Sequence, residues 1–270
     1  MTAQLQGAEP VPPTQVSSAD IAGLVASARH IAVLTGAGMS QESGIPTFRD
    51  ALNGLWERFD PTRLATPAAW RADRELVYGW YCWRAAGIKR AQPHVGHFAL
   101  AALANGSRTV TLITQNVDDL HERAGHADVI HLHGRIMNLR CFACGRFGGE
   151  MQVPEDAREN PLLRVVPERC RHCGGYLRPD VVWFGESLPP EQWKRAEKAA
   201  SECDLFLVIG TSLAVQPAAQ LPALAAKHGA IIVEINPSPC ERAEPNRLIV
   251  RATAVAGCRL LTRDPHTRPW

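Results

Sequence analysis

Residues 30–50 read HIAVLTGAGMSQESGIPTFRD. Ile31, Ala32, Val33 and Leu34 form a short apolar run of the kind buried in a parallel sheet. The run breaks into Gly36-Ala37-Gly38, a turn whose bare backbone can approach a phosphate. In the dinucleotide fingerprint Gly-x-Gly-x-x-Gly, the third glycine opens a helix, and a second strand ends in an acidic residue about 20 positions on. Here Gln41 takes the third glycine's place and no second strand follows. Instead come Ser40, Glu42, Ser43, Gly44, Pro46, Phe48, Arg49 and Asp50, and Pro46 ends any helix that has begun. The phosphate-approaching start is kept, while the continuation is a long polar loop. Such a loop suits the cover of a nicotinamide ribose better than it suits hydride transfer. A lone Gly-x-Gly is equally compatible with a simple strand-to-loop turn.

Similar apolar runs recur as TVTLITQN, DVIHLHG, CDLFLVIGTS, AIIVEIN and RLIVRATA. Helical patterns lie between several of them. SADIAGLVASAR starts at a cap, Ser17 or Ser18, and HVGHFALAALAN precedes the second run. PEQWKRAEKAASE has Pro190 in its first turn, and PAAQLPALAAKHG stops at Gly229. This alternation predicts an α/β fold, a Rossmann-like doubly wound parallel sheet built from residues 17–45, 93–134 and 179–260. Ligands of such sheets bind beyond the carboxyl ends of the strands. Gln115, Asn116 and Asp118 stand at one such end, and His131, His133 and Gly134 at another. Gly210, Thr211 and Ser212 stand at a third, and Asn236 and Pro237 at a fourth. Together they describe one polar crevice.

Two segments interrupt the rhythm. Residues 46–92 carry Trp56, Trp70, Trp80 and Trp83 without a clear strand, and read as a helical insertion plus the cofactor loop. Residues 135–178 carry Cys141-x-x-Cys144 and Cys170-x-x-Cys173 with many Gly, Pro and Arg residues. Two such turns present four thiolates to one tetrahedral Zn²⁺, a closed and therefore structural site. His172, inside the second turn, is not expected to be a ligand. The competing view is four unrelated thiols. Residues 1–16 read as a loose tail and 261–270 as a second one.

With 46% hydrophobic residues and 21% charged, the chain can bury a large core. The net charge of +2 and the lack of a long basic run make nucleic acid an unexpected partner. No apolar stretch is long enough to span a membrane, and the N-terminus lacks signal-peptide character. Scattered cysteines beside the metal set fit a reducing, cytoplasmic location. Nothing points to a coiled coil, so a monomer is the default.

The stretches GAGMSQESGIPTFRD, TQNVDDLHERAG, HLHG, the two Cys-x-x-Cys pairs, VVWFGESLP, GTSLAVQPA and EIN stand in one order over residues 30 to 254. In this the chain resembles the sirtuins, NAD-dependent protein lysine deacylases. The resemblance implies a Rossmann-like large domain and a smaller domain made of a zinc module and a helical module. It implies that NAD is consumed. The acyl-lysine carbonyl oxygen attacks the ribose as nicotinamide leaves, and a ribose hydroxyl is then deprotonated, giving O-acyl-ADP-ribose. His133 matches the catalytic histidine, a neutral imidazole base. Asn116 matches a residue that acts on the nicotinamide ribose, with Asp118 on the nicotinamide amide and Gln115 beside the ribose. Gly36, Ala37 and Gly38 would approach the pyrophosphate, with Glu42 close by, while Phe48 and Arg49 would shield the reacting carbon. Gly210, Thr211, Ser212, Asn236, Pro237 and Ala254 would line the adenosine half. Val182, Trp183, Phe184 and Gly185 would offer backbone to an extended substrate peptide.

Tyr81-x-x-Arg84 in the helical insertion resembles the signature of sirtuins that accept succinyl and malonyl groups. Positions three apart share a helix face. A guanidinium forks onto a carboxylate and a phenol adds a hydrogen bond. The plainer alternative is an aromatic core helix with a snorkelling arginine. Other readings of the whole chain are a protein mono-ADP-ribosyltransferase, or an NAD-sensing binding module using the arginines around the zinc.

Overall fold

The computed structural model describes residues 14–15, 18–47, 64–105, 108–158, 160, 162–240 and 246–262. Phe48 and Arg49 lie outside the described residues, as does most of the expected cofactor loop. Each of the six apolar runs contributes a strand to one sheet. These strands are β2 (His30–Thr35), β3 (Thr109–Thr114), β4 (Val129–His131), β8 (Leu205–Ile209), β9 (Ile231–Ile235) and β10 (Arg247–Val250). A seventh strand, β1 (Thr14–Gln15), joins the edge. The order is β1-β10-β9-β8-β2-β3-β4, and every pairing is parallel.

Adjacent residues of a strand face opposite sides, and both sides are buried. Val33, Leu112, Leu207 and Val233 pack against α1 (Ser18–Ser27), α5 (Val95–Ala104) and α9 (Ala254–Cys258). Leu34, Ile113, Phe206 and Ile232 pack against α7 (Pro190–Glu202) and α8 (Leu221–Lys227). A short helix, α2 (Ala37–Gln41), follows β2, and α6 (Leu120–Arg123) follows β3. The chain winds outward from β2 through β3 to β4, and outward from β8 through β9 to β10. The order therefore reverses between β2 and β8, which opens a crevice at their carboxyl ends.

Two expectations need correction. The tail of residues 1–16 includes β1, with Thr14 aligned with Leu248 and Gln15 with Ile249. A two-residue edge strand needs backbone hydrogen bonds and no apolar pattern, so nothing in its composition announces it. The run DVIHLHG is also not one strand. β4 ends at His131, Leu132 and His133 turn, and β5 (Gly134–Cys141) begins a second sheet. Gly134 holds φ +77°, and a Cβ there would lie 2.0 Å from the Asp180 carbonyl oxygen. Only glycine permits both.

The second sheet is antiparallel, ordered β6 (Phe147–Glu150), β5, β7 (Leu177–Val181). Beside it lie α3 (Pro67–Ala72) and α4 (Arg74–Arg90). Thr66 caps α3 through its hydroxyl, and Asp73 caps α4 through its carboxylate. Trp70, Trp80 and Tyr81 from these helices share one core with Ile136, Leu139, Leu177 and Trp183. The two interruptions of the sequence thus form one small domain. Among the described residues, no helix is long and apolar enough to cross a membrane.

Candidate functional site

A cleft of about 860 Å³ runs between the carboxyl ends of the parallel strands and the small domain. Every sequence-predicted site residue among the described ones lines it, apart from the four cysteines.

The β2 and β8 loops touch at its floor. The Gly38 N–H donates to the Gly210 carbonyl at 2.8 Å. A Cβ on Gly38 would lie 2.9 Å from Gly210 Cα, and one on Gly36 2.6 Å from Thr211 Cβ. The chain's own loops therefore require these glycines, whatever they do for a phosphate. Gln115 Nε2 donates to Thr211 Oγ1 at 2.9 Å, and Asn236 Nδ2 to the Thr211 carbonyl at 2.8 Å. One polar chain thereby spans the ends of β3, β8 and β9. Glu42 accepts from the Val255 N–H at 2.8 Å, which ties its loop to the start of α9 beside Ala254. Ser212 and Pro237 stand next to these residues on the same wall.

Deeper in, Asn116 Nδ2 donates to the Gly36 carbonyl and to Ser40 Oγ, both at 3.0 Å. Ser40 Oγ donates in turn to Asp118 Oδ2 at 2.9 Å. Asp118 also accepts from the Leu120 N–H at 3.2 Å. Burial pushes the Asp118 carboxyl above its usual range, against the pull of these two donors. Ser40 carries no sequence assignment, yet it joins Asn116 to Asp118. Its place in the polar loop after Gly36 was the available signal.

The two histidines differ in surroundings. His131 is buried, with Nδ1 3.2 Å from the Asn116 carbonyl and Nε2 2.7 Å from Glu122. Both nitrogens face acceptors within the protein. His133 has Nδ1 2.9 Å from the Gln115 carbonyl and lines the cleft. A carbonyl can only accept, so Nδ1 carries the hydrogen and Nε2 keeps its lone pair. Burial holds the His133 ring below the ordinary histidine value, opposed by the Gln115 carbonyl. The turn at 132–133, not strand alternation, separates the two rings.

The opposite wall comes from the small domain. Tyr81 and Arg84 project from α4 into the cleft, with Tyr81 buried and Arg84 half-buried. The Arg84 guanidinium lies 4.9 Å from the Trp80 ring centre and 5.6 Å from that of Tyr81. Val182, Phe184 and Gly185 edge the cleft, while the Trp183 side chain points into the core. The Val182 N–H already donates to His133 O, and the Phe184 N–H to Ala65 O, both at 2.9 Å. Any added strand would therefore pair with other groups of this segment.

The four cysteine sulfurs lie within 4.8 Å of one another, with Cys141–Cys173 at 3.4 Å and Cys144–Cys170 at 3.9 Å. Zn–S bonds of about 2.3 Å in a tetrahedron place sulfurs about 3.8 Å apart. The set therefore fits a structural zinc with no open position. His172 is turned away and meets Arg146 at 3.0 Å.

The Sir2 family profile matches residues 36–217. The chain is 51% identical over 222 residues to NAD-dependent protein deacylase 1 of Pseudomonas aeruginosa, covering 82% of this chain and 88% of that protein. It is 54% identical over 213 residues to the NAD-dependent protein deacylase of Methylococcus capsulatus, covering 78% and 82%. The crystal structure of a Sir2 homolog–NAD complex matches with a TM-score of 0.82 at 40% identity, over 92% of this chain and 94% of that one. A shared sequence and a shared fold over most of the length, around a cleft at the sheet's switch point, lead to one assignment: the chain belongs to the Sir2 family.

Proposed function

We propose that this chain is an NAD-dependent protein lysine deacylase that removes acetyl groups and, through Tyr81 and Arg84, succinyl and malonyl groups. The observation that carries the reading is the lone pair of His133 Nε2, left free in the cleft because Nδ1–H is committed to the Gln115 carbonyl. The relatives are deacylases by name, and the solved neighbour binds NAD.

The residues present fit that co-substrate. Gln115, Thr211 and Asn236 form a connected polar wall for the adenosine half. Asn116, Ser40 and Asp118 form a second network for the nicotinamide amide and ribose. NAD supplies the ribosyl carbon to which the acyl oxygen is transferred, with nicotinamide as the leaving group. His133 Nε2 takes the ribose hydroxyl proton, and its neutral form is favoured by burial. Arg84 gives the distal carboxylate of an acidic acyl group a planar pair of donors, and Tyr81 adds a phenolic one. The four cysteines would hold zinc as a fold element of the small domain, and none of them lines the cleft.

Mass spectrometry of products from acetyl-, succinyl- and malonyl-lysine peptides with NAD tests this. Free nicotinamide and O-acyl-ADP-ribose from all three are expected. ADP-ribose attached to protein without acyl-ADP-ribose would replace the reading with a transferase.

A further inference from the structure

Trp183 lies just beyond β7, in the stretch expected to meet substrate backbone, yet its residue is 1% exposed. Its indole Nε1–H donates to the Tyr81 hydroxyl oxygen at 2.9 Å, with the two rings stacked at 28°. An indole nitrogen can only donate. A phenol oxygen that accepts this bond still has its own hydrogen to give. Burial pushes the Tyr81 phenol further from ionisation, so that hydrogen is present at neutral pH.

Trp183 is itself held from two sides. Its backbone N–H donates to Glu186 Oε2 at 2.9 Å. The Arg178 guanidinium lies 3.2 Å from the centre of its ring, and Glu186 holds that guanidinium at 2.5 and 3.0 Å. Arg178, Trp183 and Tyr81, all buried, thus form a chain that runs from the half-buried Glu186 to the cleft side of α4. Removing the indole N–H leaves the tyrosine oxygen open as an acceptor, so its hydrogen is no longer directed.

We propose that Trp183 is a positioning residue for acyl selectivity: its N–H occupies the Tyr81 oxygen, so that the phenolic hydrogen is offered to an anionic acyl terminus beside Arg84. The inference rests on the assignment of Tyr81 and Arg84 as the carboxylate site. Its test measures kcat/KM on succinyl- and acetyl-lysine forms of one peptide at saturating NAD. The variants are Trp183→Phe, Tyr81→Phe, both together, and Trp183 replaced by benzothienylalanine. That last side chain keeps the ring shape and puts sulfur in place of N–H, so folding is spared if phenylalanine fails to fill the core.

Each Trp183 variant is expected to lower the succinyl/acetyl ratio about fivefold, the worth of one neutral hydrogen bond. Tyr81→Phe should lower it at least as much, and adding Trp183→Phe to it should change the ratio no further. An unchanged ratio in the benzothienyl variant, with Tyr81→Phe still effective, would overturn the role of Trp183. Losses that multiply in the double variant would do the same. If Tyr81→Phe and Arg84→Met both leave the ratio unchanged, the carboxylate site itself is wrong, an outcome distinct from either.

Discussion

The two walls of the cleft are built on opposite principles. On the large-domain wall, chemistry sits at strand ends and is fixed by main chain. His133 leans on a carbonyl, Asn116 on Gly36, and Gly38 on Gly210. On the small-domain wall, Tyr81, Arg84 and Trp183 are held by one another and by an aromatic core. Backbone geometry is common to any sequence that makes the fold, whereas side-chain contacts change with a single substitution. On the function proposed above, the first wall would carry the reaction and the second the choice of acyl group.

The sharpest way to break this division is His133→Ala. Deacylation should fall about 10²–10⁴-fold, the usual worth of a general base. The loss should be equal for acetyl and succinyl peptides, with NAD binding by calorimetry retained. A selective loss on one acyl group would blur the two walls. Cys170→Ala comes next. Metal analysis should drop from one zinc per chain to none, and the melting temperature should fall, since zinc contributes folding energy to a module with a small core. Unchanged metal content would remove the four-cysteine site.

Arg84→Met should act on one substrate only. Hydrogen bonds to a charged group are worth about 1.5–3 kcal/mol. The desuccinylation kcat/KM should therefore fall about ten- to a hundredfold more than that for deacetylation. Equal losses would reduce Arg84 to a packing residue.

The smallest effects are in pH. Because burial holds the His133 ring below the ordinary histidine value, the acid limb of the rate should be centred below about pH 6.5. An acid limb centred above 6.5 would contradict the burial of this ring. Stability should respond in the same direction. Burial, then the neighbouring His94, lowers His97 to about 3, and burial also lowers His121 and His126. The unfolded chain binds protons on these rings below about pH 6.5 and the folded chain does not, so stability is lost as pH falls from there. Chemical denaturation at pH 7.5 and 5.5 should show the lower midpoint at 5.5.

Much of the large-domain wall was legible because a parallel strand buried on both faces is a continuous apolar run. The polar residues that follow such a run mark its carboxyl end. Ser40 was legible only as one member of a polar loop, since its link between Asn116 and Asp118 crosses from one strand end to another. β1 was missed because two edge residues carry no pattern. DVIHLHG read as one strand because Gly134, which breaks it, needs its conformation only when Asp180 is brought alongside.

By itself, the sequence determined the class of sheet, the strand ends that hold polar groups, the cysteine quartet and the helical spacing of Tyr81 and Arg84. These follow from local periodicity and from ligand spacing, which a single chain segment records. Tertiary structure alone decided which histidine nitrogen is free and that the two interrupting segments share one core. It also decided that Trp183 turns inward to the Tyr81 oxygen. Each of these depends on groups far apart in the chain meeting at hydrogen-bond distance, and no local pattern encodes that meeting.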